Sequence, residues 1–223
     1  IDRRPHIGGN AHDAVNSHGE RIHLYGPHLL HGEKDSVAIR WLSQFTEWVP
    51  YEHRVRALLA DGRTTPLPVN RTTLEDVFGV ELASEEEARA LLAHQVEPLS
   101  PSNTDEVFLA NVGPQLADLF FRPYTRKMWG VCPTQLEAAV GARLPVRFNR
   151  DDRYFTDTFQ AMPKEGFTAM FANIFDHPNI ELTLGEAYGP EHDRQADHVF
   201  MSLPIDRKST RLNSSHTVIS YAV

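Results

Sequence analysis

The order of apolar and polar positions along the chain predicts an α/β protein with a helical block in its middle. Strand-like alternation and short α/β segments occupy roughly 1–69 and 144–206, whereas helical periodicity dominates 70–143. This order is typical of an α/β core that carries a helical insertion. Residues 207–223 follow neither pattern and carry three basic residues and no acidic ones. This tail resembles a translated cloning adapter, and we expect it to be non-native, with a natural Ser-rich tail as the alternative.

The first part of the chain is predicted to be mostly extended. Its expected elements are a strand end at Ile1-Asp2, a strand at 21–26, a helix within 33–45 that Asp35 or Ser36 caps, and a hairpin over 53–69 that turns at Asp61-Gly62.

The middle of the chain is predicted to be helical. The expected helices are one from a Thr cap to Gly79, one at 84–95 with a Ser cap, a longer stretch at 102–130 that breaks around Gly113-Pro114 and is perturbed by Pro123, and one at 133–143. The last part is expected to contain strands at 153–163, 180–185 and 197–204, with a helix at 166–176.

Composition and charge narrow the class of protein. A hydrophobic content of 41% with 23% charged residues is ordinary for a soluble globular protein, and no apolar run reaches the ~20 residues of a membrane span. The single cysteine, Cys132, and the polar N-terminus favour a reducing, cytoplasmic setting. A net charge of −8 argues against a nucleic-acid binder, although a few arginines would suffice for an anionic small molecule.

The opening stretch has the chemistry of a dinucleotide site. A carboxylate at a strand end, Asp2, is suited to accept hydrogen bonds from a ribose diol. Gly8 and Gly9, which lack side chains, allow backbone amides to approach a pyrophosphate. A strand followed by a plain Gly-Gly turn explains the same residues equally well.

A second candidate lies in "LFFRPYTRKMWG" at 119–130. The spacing predicts a shared helical face, with Phe120 beside it, formed by Phe121, Tyr124, Thr125, Met128 and Trp129. Such a face could stack a nucleobase, but from spacing alone a core stripe is favoured.

Charged residues elsewhere suggest an anion site and argue against a metal. Arg143 and Arg147 flank "LPV", and guanidinium groups bind phosphates, although a pair of surface ion pairs is the favoured alternative. His28 and His31 are spaced as on one helical turn, but no metal-binding motif accompanies them, so no metal site is expected.

Together these stretches resemble the flavoenzyme family of UDP-galactopyranose mutases. The resemblance runs from Ile1 to about Asp206 and includes "HIGGNA", "IHLYGPHLLH", "LPVN", "YTRKMWG", "RLPVRF" and "DDRYFTD". It implies an FAD-binding doubly wound (Rossmann-like) fold with inserted helical and sheet domains. It also implies an isomerase that interconverts UDP-galactopyranose and UDP-galactofuranose through an adduct between the sugar and N5 of reduced FAD.

The resemblance also assigns domains and site residues. The domains are 1–69 (partial FAD-binding), 70–143 (helical, uridine-binding), 144–206 (sheet and FAD-domain segment) and the tail 207–223. The FAD contacts are Asp2, Arg3, Gly8, Gly9, Asn10, Ala11 and His28. The substrate contacts are Asn70, Phe120, Phe121, Tyr124, Thr125, Trp129, Arg143 and Tyr154, and the catalytic residues are His28 and Arg143. The implied ligand is UDP-galactose, with a homodimer left open for the full-length protein.

Two departures and two alternatives accompany this resemblance. Pro27 and Pro123 stand where the family more often has small residues. The chain is interpreted as a fragment that lacks a preceding glycine-rich turn, and we expect it to bind FAD poorly and to be inactive alone. The alternatives are a flavin amine-oxidase-like or desaturase-like oxidoreductase, and a non-catalytic fragment that does not fold stably.

Overall fold

The structure, a computed structural model, describes residues 1–96, 98–142, 145–189, 191–192 and 196–202. Within these ranges the fold is mixed α/β, as predicted. The strands are β1 (Asp13–Val15), β2 (Arg21–His23), β3 (Leu30–Gly32), β4 (Trp48–Pro50), β5 (Val55–Leu58), β6 (Thr64–Leu67) and β7 (Phe159–Pro163). The helices are α1 (Val37–Leu42), α2 (Arg71–Phe78), α3 (Glu85–Ala93), α4 (Thr104–Leu116), α5 (Arg122–Trp129), α6 (Ala138–Gly141) and α7 (Phe167–Phe175).

The strands form small antiparallel sheets rather than one large sheet. β1 pairs with β2, β5 pairs with β6, and β7 lies between β3 and β4. In the three-stranded sheet Ala161 lies opposite both Leu30 and Pro50, so the chain returns to its first fifty residues only after the helical block. The parallel doubly wound arrangement of a dinucleotide fold therefore stays a prediction.

Most predicted helices and the hairpin are confirmed. Ser36 and Ser84 accept hydrogen bonds from the third amide of α1 and α3, and β5–β6 is the expected hairpin. The cap of α2 is Asn70 rather than a Thr, because the Asn70 side chain and the Thr73 side chain each bond the other's backbone amide at 3.1 Å.

Several predicted elements are wrong or shorter. The strands expected at 1–2 and 180–185 are reduced to one parallel bridge between Asp2 and Leu184, and residues 197–202 form no strand. The strand expected at 153–163 begins only at Phe159, and the helix expected at 133–143 is split into a 3-10 turn and α6. Alternation produces a strand only where another strand offers its backbone groups for pairing, and local sequence does not report that partner.

The hydrophobic core lies in the helical block and at its edge. Its fully buried side chains include Val69, Leu74, Val112 and Leu116. Leu82, Leu92, Phe108 and Phe120 belong to the same buried cluster. Val146 and Phe148 pack against the cluster, so the segment after the helical block is fixed to it. None of the described helices has both the length and the apolar character that crossing a bilayer requires.

A kink inside α4 allows the helical block to close. Gly113 has φ 74° and ψ 170°, a conformation essentially restricted to glycine, and Pro114 follows it. A Cβ at Gly113 would lie 2.4 Å from the carbonyl oxygen of Gln95. The predicted break at Gly113-Pro114 is thus confirmed, and it is also the place where the loop after α3 touches α4.

We expect Gly113→Ala to destabilise the protein by at least about 3 kcal/mol, because both backbone strain and a clash with a backbone oxygen result. Gly79→Ala is the matched control, since Gly79 also has positive φ (66°) but faces open space. It should cost about 1 kcal/mol, the strain alone. Urea unfolding of the two variants measures the difference, and equal losses would contradict the contact with Gln95.

A buried carboxylate joins the N-terminal segment to α7. Asp13, which is 3% exposed, accepts hydrogen bonds from the amides of Phe167 (2.6 Å) and Thr168 (3.2 Å). The Thr168 hydroxyl accepts a hydrogen bond from the Asp13 amide at 2.9 Å. Asp13 therefore caps a helix that begins more than 150 residues later, although α7 has no cap from its own preceding residue.

Asp13→Ala should lower the free energy of unfolding by about 2 kcal/mol, because it leaves two amides at the start of α7 without an acceptor. The control is Asp176→Ala at the other end of α7, where an exposed carboxylate opposes the helix dipole. This control should be neutral or slightly stabilising. A comparable loss in both variants, measured by urea unfolding, would show that the cap is not specific.

Candidate functional site

The N-terminal loop carries all of the predicted FAD residues except His28. Asp2 is exposed, and one of its carboxylate oxygens accepts the Arg4 amide at 2.8 Å. Its backbone amide donates to the carbonyl of Thr183 at 2.9 Å. Gly8 (φ 86°) and Gly9 (φ 54°) then turn the chain into a short 3-10 turn, Gly9–Ala11.

Arg4 and Tyr25 connect this loop to the "YGPH" segment. The Arg4 guanidinium lies 4.5 Å from the centre of the Tyr25 ring and donates to the Asn10 side chain at 2.7 Å. The Tyr25 hydroxyl lies 2.7 Å from Nε2 of His6. Asn10 and the loop before His28 are thus joined through residues that the sequence analysis did not single out. A signal was present for Tyr25, which lies within the motif "IHLYGPHLLH", whereas Arg4 precedes "HIGGNA".

Histidine rings fill the space around these contacts. His6 stacks on His12 with ring centres 3.9 Å apart, and His28 stacks on His23 at 6.3 Å. His28 Nδ1 is 2.8 Å from the Gly26 carbonyl, which fixes its ring. Within the described ranges, no group of three or more His, Cys, Asp or Glu side chains is arranged to hold a metal ion.

Two buried polar atoms in this region have no hydrogen-bond partner among the described residues. They are Nη1 of Arg4 and Nδ1 of His23. A buried guanidinium nitrogen without an acceptor is costly, and a phosphate or another anionic oxygen would satisfy it. The residues of this loop therefore fit an anionic dinucleotide such as FAD.

Helix α5, the aromatic helix, carries both exposed and buried members of the predicted aromatic face. Tyr124, Met128 and Trp129 are all more than half exposed, whereas Thr125 is 7% exposed. The shared face expected from the spacing is therefore partly exposed and partly buried, and Tyr124, Met128 and Trp129 do not form the core stripe that the spacing favours. Phe120 belongs to the buried core, and Phe121 is partly buried with its ring 5.5 Å from that of Phe108.

A π-helical turn at Ala117–Phe121 precedes α5 and separates Phe120 and Phe121 from the helical period of α5. Each residue of an α-helix advances by about 100°, but a π turn contains an extra residue. Residues before and after the turn therefore do not follow one continuous helical period. The expected alignment of Phe121 with Thr125 assumed that period.

An ion-paired arginine fixes the junction between α4 and α5. Arg122 donates to both carboxylate oxygens of Asp105, at 2.6 and 2.7 Å, and to Asp118 at 2.8 Å. The guanidinium holds the pKa of Asp105 below its usual range. Bidentate geometry of this kind fixes angle as well as distance. This triad could not be predicted from the sequence, because Asp105 and Arg122 belong to different helices.

The remaining predicted substrate residues lie after the helical block or at its edge. Arg143 lies outside the described residues. Asn70 is fully buried as the cap of α2, and its side-chain amide donates to the Asp151 carbonyl at 3.3 Å. Tyr154 is 45% exposed, with its ring 5.7 Å from that of His53. Arg147, a candidate phosphate ligand, instead donates to backbone carbonyls of residues 151–154.

Charged side chains organise the turn that carries Tyr154. Asp151 accepts from Arg153 at 2.9 and 2.8 Å, which lowers the pKa of the carboxyl to about 2. Asp152 pairs with Arg54 and Arg56 of the β5 region, and Arg150 binds both oxygens of Glu75 on α2. The ion pairs of Asp152 therefore join the turn to the β5 region, whereas Arg150 joins the segment before the turn to α2.

Comparison with known proteins shows that the chain is similar to sugar-nucleotide mutases. Residues 119–212 match a family model described as UDP-galactopyranose mutase. The chain is 40% identical over 92% of its length to a probable UDP-galactopyranose mutase of Klebsiella pneumoniae, covering 54% of that protein. It is also 38% identical over 92% of its length to dTDP-fucopyranose mutase of Escherichia coli, covering 56% of it. The chain thus spans about half the length of the curated relatives it matches.

A solved structure supports the fold. The crystal structure of a reduced UDP-galactopyranose mutase matches 77% of this chain and 38% of its own chain, with a TM-score of 0.56 and 20% identity. The chain is therefore similar to mutases that are named for nucleotide-linked sugars. Its family resemblance is to UDP-galactopyranose mutase, an isomerase family, as the sequence predicts.

The pKa of Asp151 yields a pH prediction. Because the folded pKa is below that of an unfolded aspartate, the carboxylate stabilises the fold above pH ~4 and this contribution is lost as pH falls towards 2. We expect Asp151→Asn to be less stable than wild type at pH 7, with the difference shrinking below pH 4. Urea unfolding from pH 7 to pH 3 tests this. A difference that does not change with pH would contradict the ion pair.

Proposed function

We propose that this protein is a mutase that interconverts UDP-galactopyranose and UDP-galactofuranose and uses reduced FAD. The observation that carries the proposal is the 40% identity to a probable UDP-galactopyranose mutase over 92% of the chain. The N-terminal loop supports it, because its exposed carboxylate, its glycine turn and an Arg4 nitrogen that has no hydrogen-bond partner among the described residues suit a dinucleotide.

In this proposal the N-terminal loop holds the cofactor. Asp2 accepts hydrogen bonds from the ribose, while Arg3, Gly8, Gly9, Asn10 and Ala11 line the dinucleotide. His28 lies against the flavin, with Nδ1 already directed to the Gly26 carbonyl. When bound, reduced flavin would supply the nucleophile for the anomeric carbon of the sugar. The protein orients the two partners.

The substrate nucleotide lies on the aromatic helix and the Tyr154 turn. Tyr124 and Trp129, both exposed, offer flat surfaces for the base and sugar, and Phe121 closes the inner side. Arg143 and the Tyr154 hydroxyl contact the diphosphate. The fold supports a structural role for Asn70 and Phe120, which are buried, so they would act on the ligand through the residues around them.

A second candidate is the corresponding reaction of dTDP-fucopyranose. The 38% identity to dTDP-fucopyranose mutase, over as much of the chain, favours it on sequence grounds alone. The two substrates differ in the C5 methyl group of the base, in the ribose 2′-hydroxyl and in the sugar. A comparison of UDP with dTDP separates the two candidates at the nucleotide.

We expect UDP to raise the unfolding temperature of the chain, by an amount equivalent to about 2.7 kcal/mol at a hundredfold excess over Kd. Trp129→Ala should weaken this effect. Trp41→Ala is the matched control, since Trp41 is an exposed tryptophan of α1 outside the proposed site. Thermal unfolding with UDP and with dTDP gives the measurement.

The outcomes of this experiment separate the candidates. A larger shift with dTDP than with UDP would favour the fucopyranose substrate. No shift with either nucleotide, while the chain unfolds cooperatively, would contradict the nucleotide site. Equal losses in the two tryptophan variants would contradict its location on α5.

A further inference from the structure

Arg147 uses its guanidinium inside the protein rather than toward a ligand. Nη1 donates to the carbonyls of Asp151, at 3.3 Å, and Arg153, and Nη2 donates to the carbonyl of Tyr154 at 3.1 Å. Its backbone amide donates to the carbonyl of Val69 at 2.9 Å, and Val69 directly precedes Asn70, the cap of α2. Through its side chain and its backbone amide together, Arg147 therefore joins three carbonyls of the turn to the edge of the core.

These contacts fix the backbone of Tyr154, a residue of the proposed site. The Tyr154 amide donates to the His53 carbonyl at 2.6 Å, and its own carbonyl is the one that Arg147 binds. Its ring lies edge-on to Phe155 at 4.9 Å. Within the described part of the chain no hydrogen bond engages the Tyr154 hydroxyl, although its backbone is fixed on both sides.

The chemistry of this position requires an arginine. The planar guanidinium presents several N–H groups in a fixed fork, whereas a lysine ammonium is a compact donor on a flexible stem. Both terminal nitrogens of Arg147 are already engaged with carbonyls, so its fork is not directed at an anion. The two arginines that flank "LPV" therefore have different tasks in the proposed site.

We propose that Arg147 is a positioning residue for Tyr154: by binding three carbonyls of the 151–154 turn, it holds the Tyr154 hydroxyl where the nucleotide diphosphate binds. The inference rests on the proposed function, in which Tyr154 contacts that diphosphate. It adds to that function a residue that acts on the ligand only through another.

A double-mutant cycle on UDP affinity tests the inference. Tyr154→Phe should weaken UDP binding about three- to tenfold, as the loss of one hydrogen bond predicts. Arg147→Met should weaken it to a similar extent, and the double variant should bind no worse than either single one, because both changes remove the same contact. Arg147→Lys, which keeps the charge without the fork, should restore affinity only in part.

Arg150→Met is the matched control for a merely structural effect. Arg150 lies on the same segment and pairs with Glu75, but it touches no carbonyl of the turn. It should lower stability and leave the UDP affinity near that of wild type. Effects of Arg147→Met and Tyr154→Phe that multiply, or an Arg147→Met variant that binds UDP like wild type, would overturn the inference.

Amide hydrogen exchange gives a readout that does not depend on the ligand. The 151–155 segment should exchange faster in Arg147→Met than in Arg150→Met, at equal distance from each unfolding midpoint. Unchanged exchange would overturn the inference even if UDP affinity fell. If wild-type protein bound no UDP, the proposed function would fail, and faster exchange would still show that Arg147 holds the turn.

Discussion

The return of the chain to its own beginning is the constraint on which the rest of the structure depends. β7 pairs with both β3 and β4, and α7 starts on the carboxylate of Asp13. Because these contacts span more than a hundred residues, the helical block must leave and re-enter the sheet region at neighbouring points. The N-terminal loop is shaped by the same contacts, since Gly8 packs close to Phe171 of α7.

The helical block is stabilised differently from the sheet region, because most of its core residues are close together in the sequence. Its core is continuous from Val69 to Phe120 and is joined to the following segment through Val146 and Phe148. Arginine side chains then join separate elements at the surface. Arg122 joins α4 to α5, Arg147 binds carbonyls within the 151–154 turn, and Arg150 pairs with Glu75 of α2. In the proposed site these arginines fix backbone and helix angles, while aromatic rings are left for the ligand.

Local signals in the sequence predicted those parts of the fold that local interactions decide. Ser36, Ser84 and Gly113-Pro114 mark helix ends and a break that depend on adjacent backbone. The strands at 1–2 and 180–185 were overestimated because pairing depends on a distant partner. The buried cap at Asp13 and the triad around Arg122 could not be predicted, since each joins residues far apart in sequence. The residues of the family motifs were found, but spacing alone could not separate a ligand face from a core stripe, as Phe120 and Tyr124 show.

The π turn at Ala117–Phe121 has a consequence for comparing this chain with its relatives. It contains one residue more than a regular helix of the same length and absorbs that residue locally. A related protein that lacks one residue here could close an ordinary helix and keep its aromatic helix in the same orientation. A one-residue deletion inside α5 would instead rotate everything after it by about 100° and turn Trp129 away from its present direction. Alignment gaps in this family should therefore fall within the turn and be absent from the helix that follows.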